Sequence, residues 1–190
     1  MQACASLHDQ EGRVTVPGFY DAVRPPEQWE REELAKLPIT EEDYAKFLGV
    51  PEFFPPPGYS SLEGIRFCPT LEFNGVGGGY QGEGSKTVIP AEAFAKITCR
   101  LVPDQKSEDI ANKVRQAIEE ACPSAVRVEV QLKGGGDPYV VIPPGKPGSS
   151  GQESELMKKA FSVAEDCIES GFGTRPIFLR EGGSIPIIQD

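Results

Sequence analysis

The chain has 190 residues, 38% of them hydrophobic, and sets 29 acidic against 19 basic side chains for a formal net charge of −10. That length allows one domain, or one domain and a piece of another, and the acidity argues against nucleic acid or an anionic membrane surface as a partner. A single histidine (His8) and five scattered cysteines without a C-x-x-C pair speak against a zinc site or a disulfide framework built from this chain alone. No apolar run approaches the ~20 residues that span a bilayer. The N-terminus MQACASLHDQEGR lacks the basic and apolar regions of a signal peptide, so reduced thiols and a cytoplasmic location are the expectation.

Residues 2–8 read as the last turns of a helix whose beginning is absent, followed by a turn at 9–12. Val14 and Val16 share one face of a short strand expected over Arg13–Phe19. From Arg24 to Pro57 the composition shifts to Pro, Glu and aromatic residues, as in an excursion over the surface. Within it, Thr40 and Asp43 form a capping box for a helix running to Leu48, and Pro55-Pro56-Pro57-Gly58 is a stiff connector. Thr70–Phe73 predicts a strand entering the cluster Gly75, Gly77, Gly78, Gly79, Gly82 and Gly84. Ala91–Val102 predicts a second strand, with Phe94, Lys96, Thr98 and Arg100 on one face and Ala95, Ile97, Cys99 and Leu101 on the other.

Ser107 is expected to cap a helix whose apolar positions are Ile110, Val114, Ala117, Ile118 and Ala121, stopped by Pro123. Val126, Val128, Val130 and Leu132 alternate as a further strand. Pro143–Gly151 is a linker by composition. A helix is expected over Gln152–Ser170, with a Ser150/Glu153 capping box and Gly171 at its C′ position. Pro176–Leu179 reads as a short strand, Glu181–Ser184 as a turn, and Ile185–Ile188 as a buried segment with nothing to pack on, as if cut from a larger domain. Strand, strand, helix, strand in this order implies an α+β fold, an antiparallel sheet with helices on one face.

Gly77-x-Gly79-x-x-Gly82 matches the dinucleotide fingerprint by letter, but TVIP and a strand follow where the fingerprint needs a helix N-terminus. A flexible turn is the better reading. The acidic pairs Glu32-Glu33, Glu41-Glu42 and Glu119-Glu120 sit among charged neighbours and read as surface charge. His8 reads as exposed or capping a helix end. Arg100, in mid-strand, is either one half of a cross-strand ion pair or a bidentate clamp on a carboxylate.

LHDQEGRVTVPGFYDAV, EGSKTVIPAEAFAKITCRLVP and FLREGGSIPI together resemble the lid, or dimerisation, domain and adjoining catalytic loop of zinc-dependent dipeptidases. This is the carnosinase-like branch of a metallopeptidase family that also holds aminoacylases and succinyl-diaminopimelate desuccinylases. The resemblance implies a ferredoxin-like lid over residues 1–147, truncated at its N-terminus, with the Pro-rich excursion at about 20–66. It implies a fragment of an α/β catalytic domain over 148–190. On that mapping Thr87 and Arg100 bind the carboxylate end of a dipeptide in the partner subunit of a homodimer. Gly182, Gly183 and Ser184 hold the substrate from the other side. The complete enzyme is expected to use two zinc or manganese ions and a glutamate general base. The family's metal ligands fall before Met1 and after Asp190, so this chain is expected to contain no metal ligand or catalytic residue and to be inactive alone.

Some features depart from the family pattern. His8 does not match the lid histidine that stabilises the oxyanion, and Lys133-Gly134-Gly135-Gly136-Asp137-Pro138 stands where many relatives carry a histidine. A free-standing dimerising or effector-binding module is the alternative. Such a module should end after Leu132, which the following helix and GGSIP turn disfavour.

Overall fold

Residues 1–149 and 151–181 are described by the structure, a computed structural model. They divide into two units, Met1–Val23 with Pro69–Asp137, and Arg24–Cys68 with the chain from Pro138 onward. In the first unit, β1 (Thr70–Gly78) and β2 (Ala93–Arg100) pair antiparallel, with Thr70 opposite Arg100 and Gly78 opposite Ala93. The alternation of a strand sends Leu71, Phe73, Ile97 and Cys99 to one side. There they meet Ile110, Val114, Ala117 and Ile118 of α5 (Ser107–Ala121), which recur at helical spacing. Leu7, Val14, Val16 and Phe19 close this core from the N-terminal segment, after the single-turn helix α1 (Gln2–Ala5).

One buried polar side chain ties the pieces together. Gln105, 1% exposed, donates from Nε2 to the Phe19 carbonyl at 2.8 Å and accepts from the Val102 amide at 2.9 Å. Its amide is therefore used on both sides, as burial requires.

In the second unit, α2 (Gln28–Leu34), α3 (Glu41–Leu48) and α4 (Ser61–Phe67) each open with a capping box. The Thr40/Asp43 box is the expected one, whereas α2 and α4 are ordered helices within what the sequence reads as a surface excursion. The long helix α6 (Glu155–Phe172) begins later than expected, because Ser154 accepts the Met157 amide at 3.1 Å. It also ends later, with Gly173 rather than Gly171 taking the left-handed conformation at φ 71°. Ser150, half of the expected capping box, lies outside the described residues.

Three expected strands form no ladder. Residues 13–19 contribute only a His8–Val14 bridge. Residues 126–132 and 176–179 lack a strand neighbour among the described residues, and alternation specifies a face without supplying the partner whose N–H and C=O groups a strand must meet. The described sheet thus has two strands, the antiparallel centre of the α+β fold. Ser107, expected as the N-cap of α5, is instead its first residue. The cap comes from Asp137, whose Oδ1 accepts the Ser107 amide at 2.8 Å while Oδ2 accepts from Lys106 Nζ at 3.0 Å. These bonds hold the Asp137 carboxyl down at about 2, the Ser107 amide contributing most.

Removing a ring from this core should cost far more than removing one from the surface. Phe19→Ala, at a site 1% exposed, is expected to lose about 3–5 kcal/mol in urea denaturation. Phe47→Ala, at a site 82% exposed, should stay within about 0.5 kcal/mol of the parent.

Candidate functional site

The face of the ribbon turned away from α5 presents Phe94, Lys96, Thr98 and Arg100 in a row, as the strand alternation requires. On β1 a bulge separates Phe73, opposite Ile97, from Gly75, opposite Lys96. The inserted Asn74 accepts a hydrogen bond from Thr98 Oγ1 at 2.7 Å, so the residue next to Arg100 on this face is fixed locally. Beyond the bulge Phe94 lies over Gly77, where an added Cβ would come within 2.5 Å of the ring. A side chain there would push the ring out of place.

Arg100 is exposed, and among the described residues it has no hydrogen-bond or ion-pair partner. The residue opposite it is Thr70, so the cross-strand ion pair is not formed. What remains is an uncommitted planar fork of N–H donors, suited to a carboxylate.

Thr87 lies in the exposed connection between Gly78 and Ala93. Arg100 is at the far end of β2, ~23 Å along the strand from Ala93, and no described contact brings the two together. The connection holds no helix, so the glycine cluster lacks the element that binds a pyrophosphate. Gly78, at φ 145°, faces the backbone of residues 92–93 closely, a conformation and an approach that suit glycine. Gly182, Gly183 and Ser184 lie outside the described residues.

Sequence reasoning missed a second group of polar side chains, in the other unit. Glu30 and Glu33, three residues apart on α2, share one face and are 4% and 6% exposed. Glu30 receives Arg180 bidentately, Nε at 2.6 Å and Nη2 at 2.7 Å. Glu33 accepts from Lys36 at 2.9 Å, Lys146 at 3.1 Å and the Phe178 amide at 3.3 Å. Reading Glu32-Glu33 as surface charge is therefore correct for Glu32 and wrong for Glu33. Burial alone would raise the Glu33 carboxyl, but the donors from Lys36, Lys146 and Phe178 outweigh it and hold it below the usual carboxylate range. Glu33 also lines a cavity of about 630 Å³ with Lys36, Lys146, Lys158, Phe161 and Arg175. The one signal for this group was the apolar flank of Trp29 and Leu34, which gives α2 an inward face.

Other chemistry is limited. Burial pushes the Cys68 and Cys99 thiols up to about 11, which disfavours the thiolate. His8 is half-buried with its ring edge against Phe73, centroids 6.1 Å apart. Among the described residues no group of three His, Cys, Asp or Glu could hold a metal ion. No described helix is long and apolar enough to cross a membrane.

Comparison with known proteins puts these observations in context. The family model described as a peptidase dimerisation domain matches residues 1–126. The chain is similar to the Cys-Gly metallodipeptidase DUG1 of Saccharomyces cerevisiae, 29% identical over 98% of this chain and 37% of that protein. It is similar to the Beta-Ala-His dipeptidase of Homo sapiens, 26% identical over 96% of this chain and 34% of that one. Among solved structures, an M20 family metallo-carboxypeptidase from Sulfolobus solfataricus superposes with a TM-score of 0.75 at 28% identity, covering 98% of this chain and 39% of that one. Human carnosine dipeptidase 1 gives 0.75 at 25%, covering 98% and 38%. The chain thus spans little more than a third of the length of these relatives.

The Glu33 contacts make a pH-dependent prediction. A carboxyl lowered in the folded state contributes stability above its unfolded value, and that contribution is lost as pH falls through the folded value. Acidification below the ordinary glutamate value of about 4.3 should therefore loosen α2, read by the fluorescence of the single tryptophan, Trp29. In Glu33→Gln the acid slope should be shallower, and an unchanged slope would contradict the assignment.

Proposed function

The chain belongs to the peptidase dimerisation domain family, and from that premise we propose that it forms the lid and dimerisation part of a metal-dependent dipeptidase. In this reading Arg100 binds the carboxylate end of the substrate. The observation that carries it is the free guanidinium of Arg100 on the open face of the ribbon, with no described partner. Arginine in a strand is usually committed to an anion, so the absence of a partner among the described residues supports an external one. The dipeptidases among the relatives have substrates that end in such an anion.

Residues 1–147 correspond to the lid, with the excursion at about 20–66, and residues from 148 onward to the start of the catalytic segment. The lid dimerises, and Arg100 serves a dipeptide held by the partner subunit, with Thr87, in the exposed connection before β2, as a further contact. Exposed apolar side chains at the distal part of the ribbon, Val76, Val88, Ile89 and Phe94, support an inter-subunit role. Gly182, Gly183 and Ser184 donate backbone N–H groups to a substrate in the catalytic domain to which they belong. The described residues do not fit a metal ion. The two zinc or manganese ions and the catalytic carboxylate are assigned to the rest of the enzyme, and the chain by itself is expected to be inactive. A cytoplasmic location completes the proposal.

The work of this chain is to position the substrate. Two parallel N–H···O bonds from one guanidinium fix both the position and the plane of a carboxylate, and so the distance of the scissile bond from the reacting groups. In the complete enzyme Arg100→Ala should raise KM and lower kcat. A loss of about 2–3 kcal/mol corresponds to roughly 30- to 150-fold in kcat/KM. Arg100→Lys should recover only part of it, since an ammonium has no fork. An unchanged kcat/KM in Arg100→Ala would remove Arg100 from the site.

A further inference from the structure

The cavity of about 630 Å³ beside Glu33 lies wholly within the unit that joins Arg24–Cys68 to the chain from Pro138 onward. Its volume falls in the range of pockets that take small organic ligands. Four cationic side chains line it, Lys36, Lys146, Lys158 and Arg175, against two carboxylates, Glu33 and Glu165. An excess of positive charge is the opposite of what a net charge of −10 would place there by composition alone.

The protein partners of these cations leave them able to take a ligand. Lys36 and Lys146 both donate to the same oxygen of Glu33, at 2.9 Å and 3.1 Å. Each ammonium has three donors, so two positive charges converge on one carboxylate oxygen with donors left over. Lys158 pairs with Glu155 at 2.9 Å and Arg175 with Glu165 at 3.1 Å. The two cationic side chains are 49% and 65% exposed, and pairs so exposed are weak enough to be exchanged for a ligand. Another part of the wall is apolar. The rings of Phe161 and Phe178 lie with centroids 6.0 Å apart, and Pro143, Pro176 and Ile177 extend that surface. Three contacts hold the wall in place. The Phe178 amide donates to Glu33 at 3.3 Å, Trp29 Nε1 donates to the Pro147 carbonyl at 3.1 Å, and Lys146 Nζ lies 5.2 Å from the centre of the Trp29 ring. A pocket built in advance loses little binding energy to ordering.

We propose that this cavity binds a small organic dianion, a phosphate or a dicarboxylate on an aromatic or branched apolar body. Lys36 and Lys146 hold the charged end, and Phe161 and Phe178 receive the apolar one. Two charges on the ligand match the excess of two positive charges in the wall. The inference stands apart from the dipeptidase reading, because it uses neither Arg100 nor any catalytic group.

The test is isothermal titration of the complete protein with phenyl phosphate and with phenylsuccinate, which distinguish the two sources of charge. At least one should bind saturably, and about tenfold or more tightly than inorganic phosphate or benzyl alcohol, each of which carries half of the recognised chemistry. Ser162→Trp, which fills the cavity from an exposed position on α6 without a change of charge, should abolish binding. Lys36→Gln should weaken it about tenfold. Both variants should melt like the parent when free of ligand. Should Lys36→Gln fail to fold, Lys158→Glu takes its place with the same expectation.

Absence of saturable binding by both probes overturns the inference, as it would if the rest of the complete protein fills the cavity. Binding that survives both Ser162→Trp and Lys36→Gln lies at some other anion site and overturns it as well. So does a phenyl probe that binds no more tightly than inorganic phosphate, since the aromatic wall would then play no part.

Discussion

A two-stranded antiparallel ribbon has two faces, and here α5 and the segment from Leu7 to Phe19 cover only one of them. That face takes the apolar side chains Leu71, Phe73, Ile97 and Cys99. The strand period then forces Phe94, Lys96, Thr98 and Arg100 onto the other. A slip of one residue in β2 would bury Arg100 and expose Ile97, so the register that builds the core also presents the guanidinium. The Asn74 bulge is part of this arrangement. It absorbs one residue on β1 while the partner strand continues its alternation, and its side chain anchors Thr98 beside the arginine.

The other unit solves a different problem. Apart from α6 its helices are short and its segments rich in proline, so hydrogen-bonded side chains take over where regular backbone pairing is absent. Glu30 and Glu33 each take up several donors, and the capping boxes of α2, α3 and α4 satisfy helix ends that would otherwise need water. Buried carboxylates in such numbers are costly unless every oxygen is used, and here both oxygens of each one are.

The sequence made some of this readable and concealed the rest for identifiable reasons. The faces of β2, the apolar stripe of α5 and the Thr40/Asp43 cap depend on local period and short-range bonds, and the structure has all three. The strand expected over 126–132 depends on a neighbour that alternation cannot name. The cap of α5 is supplied by Asp137, 30 residues away in sequence, where no local rule looks for it. Glu33 reads as surface charge beside Glu32, because nothing local shows that Lys146 and Phe178 come back to meet it. Arg100 was legible as a candidate, but its lack of a partner among the described residues was not, since that depends on which residue stands opposite.

The central claim is that Arg100 recognises a free carboxylate, and it can be tested on the substrate as well as on the protein. The measurement is kcat/KM of the complete protein, with zinc or manganese supplied, for a dipeptide and for the same dipeptide amidated at its C-terminus. The account predicts a preference for the free acid of roughly 30- to 150-fold, which disappears in Arg100→Ala because the amide offers no charge for the fork to hold. Equal turnover of acid and amide, or a preference that survives the substitution, would contradict it.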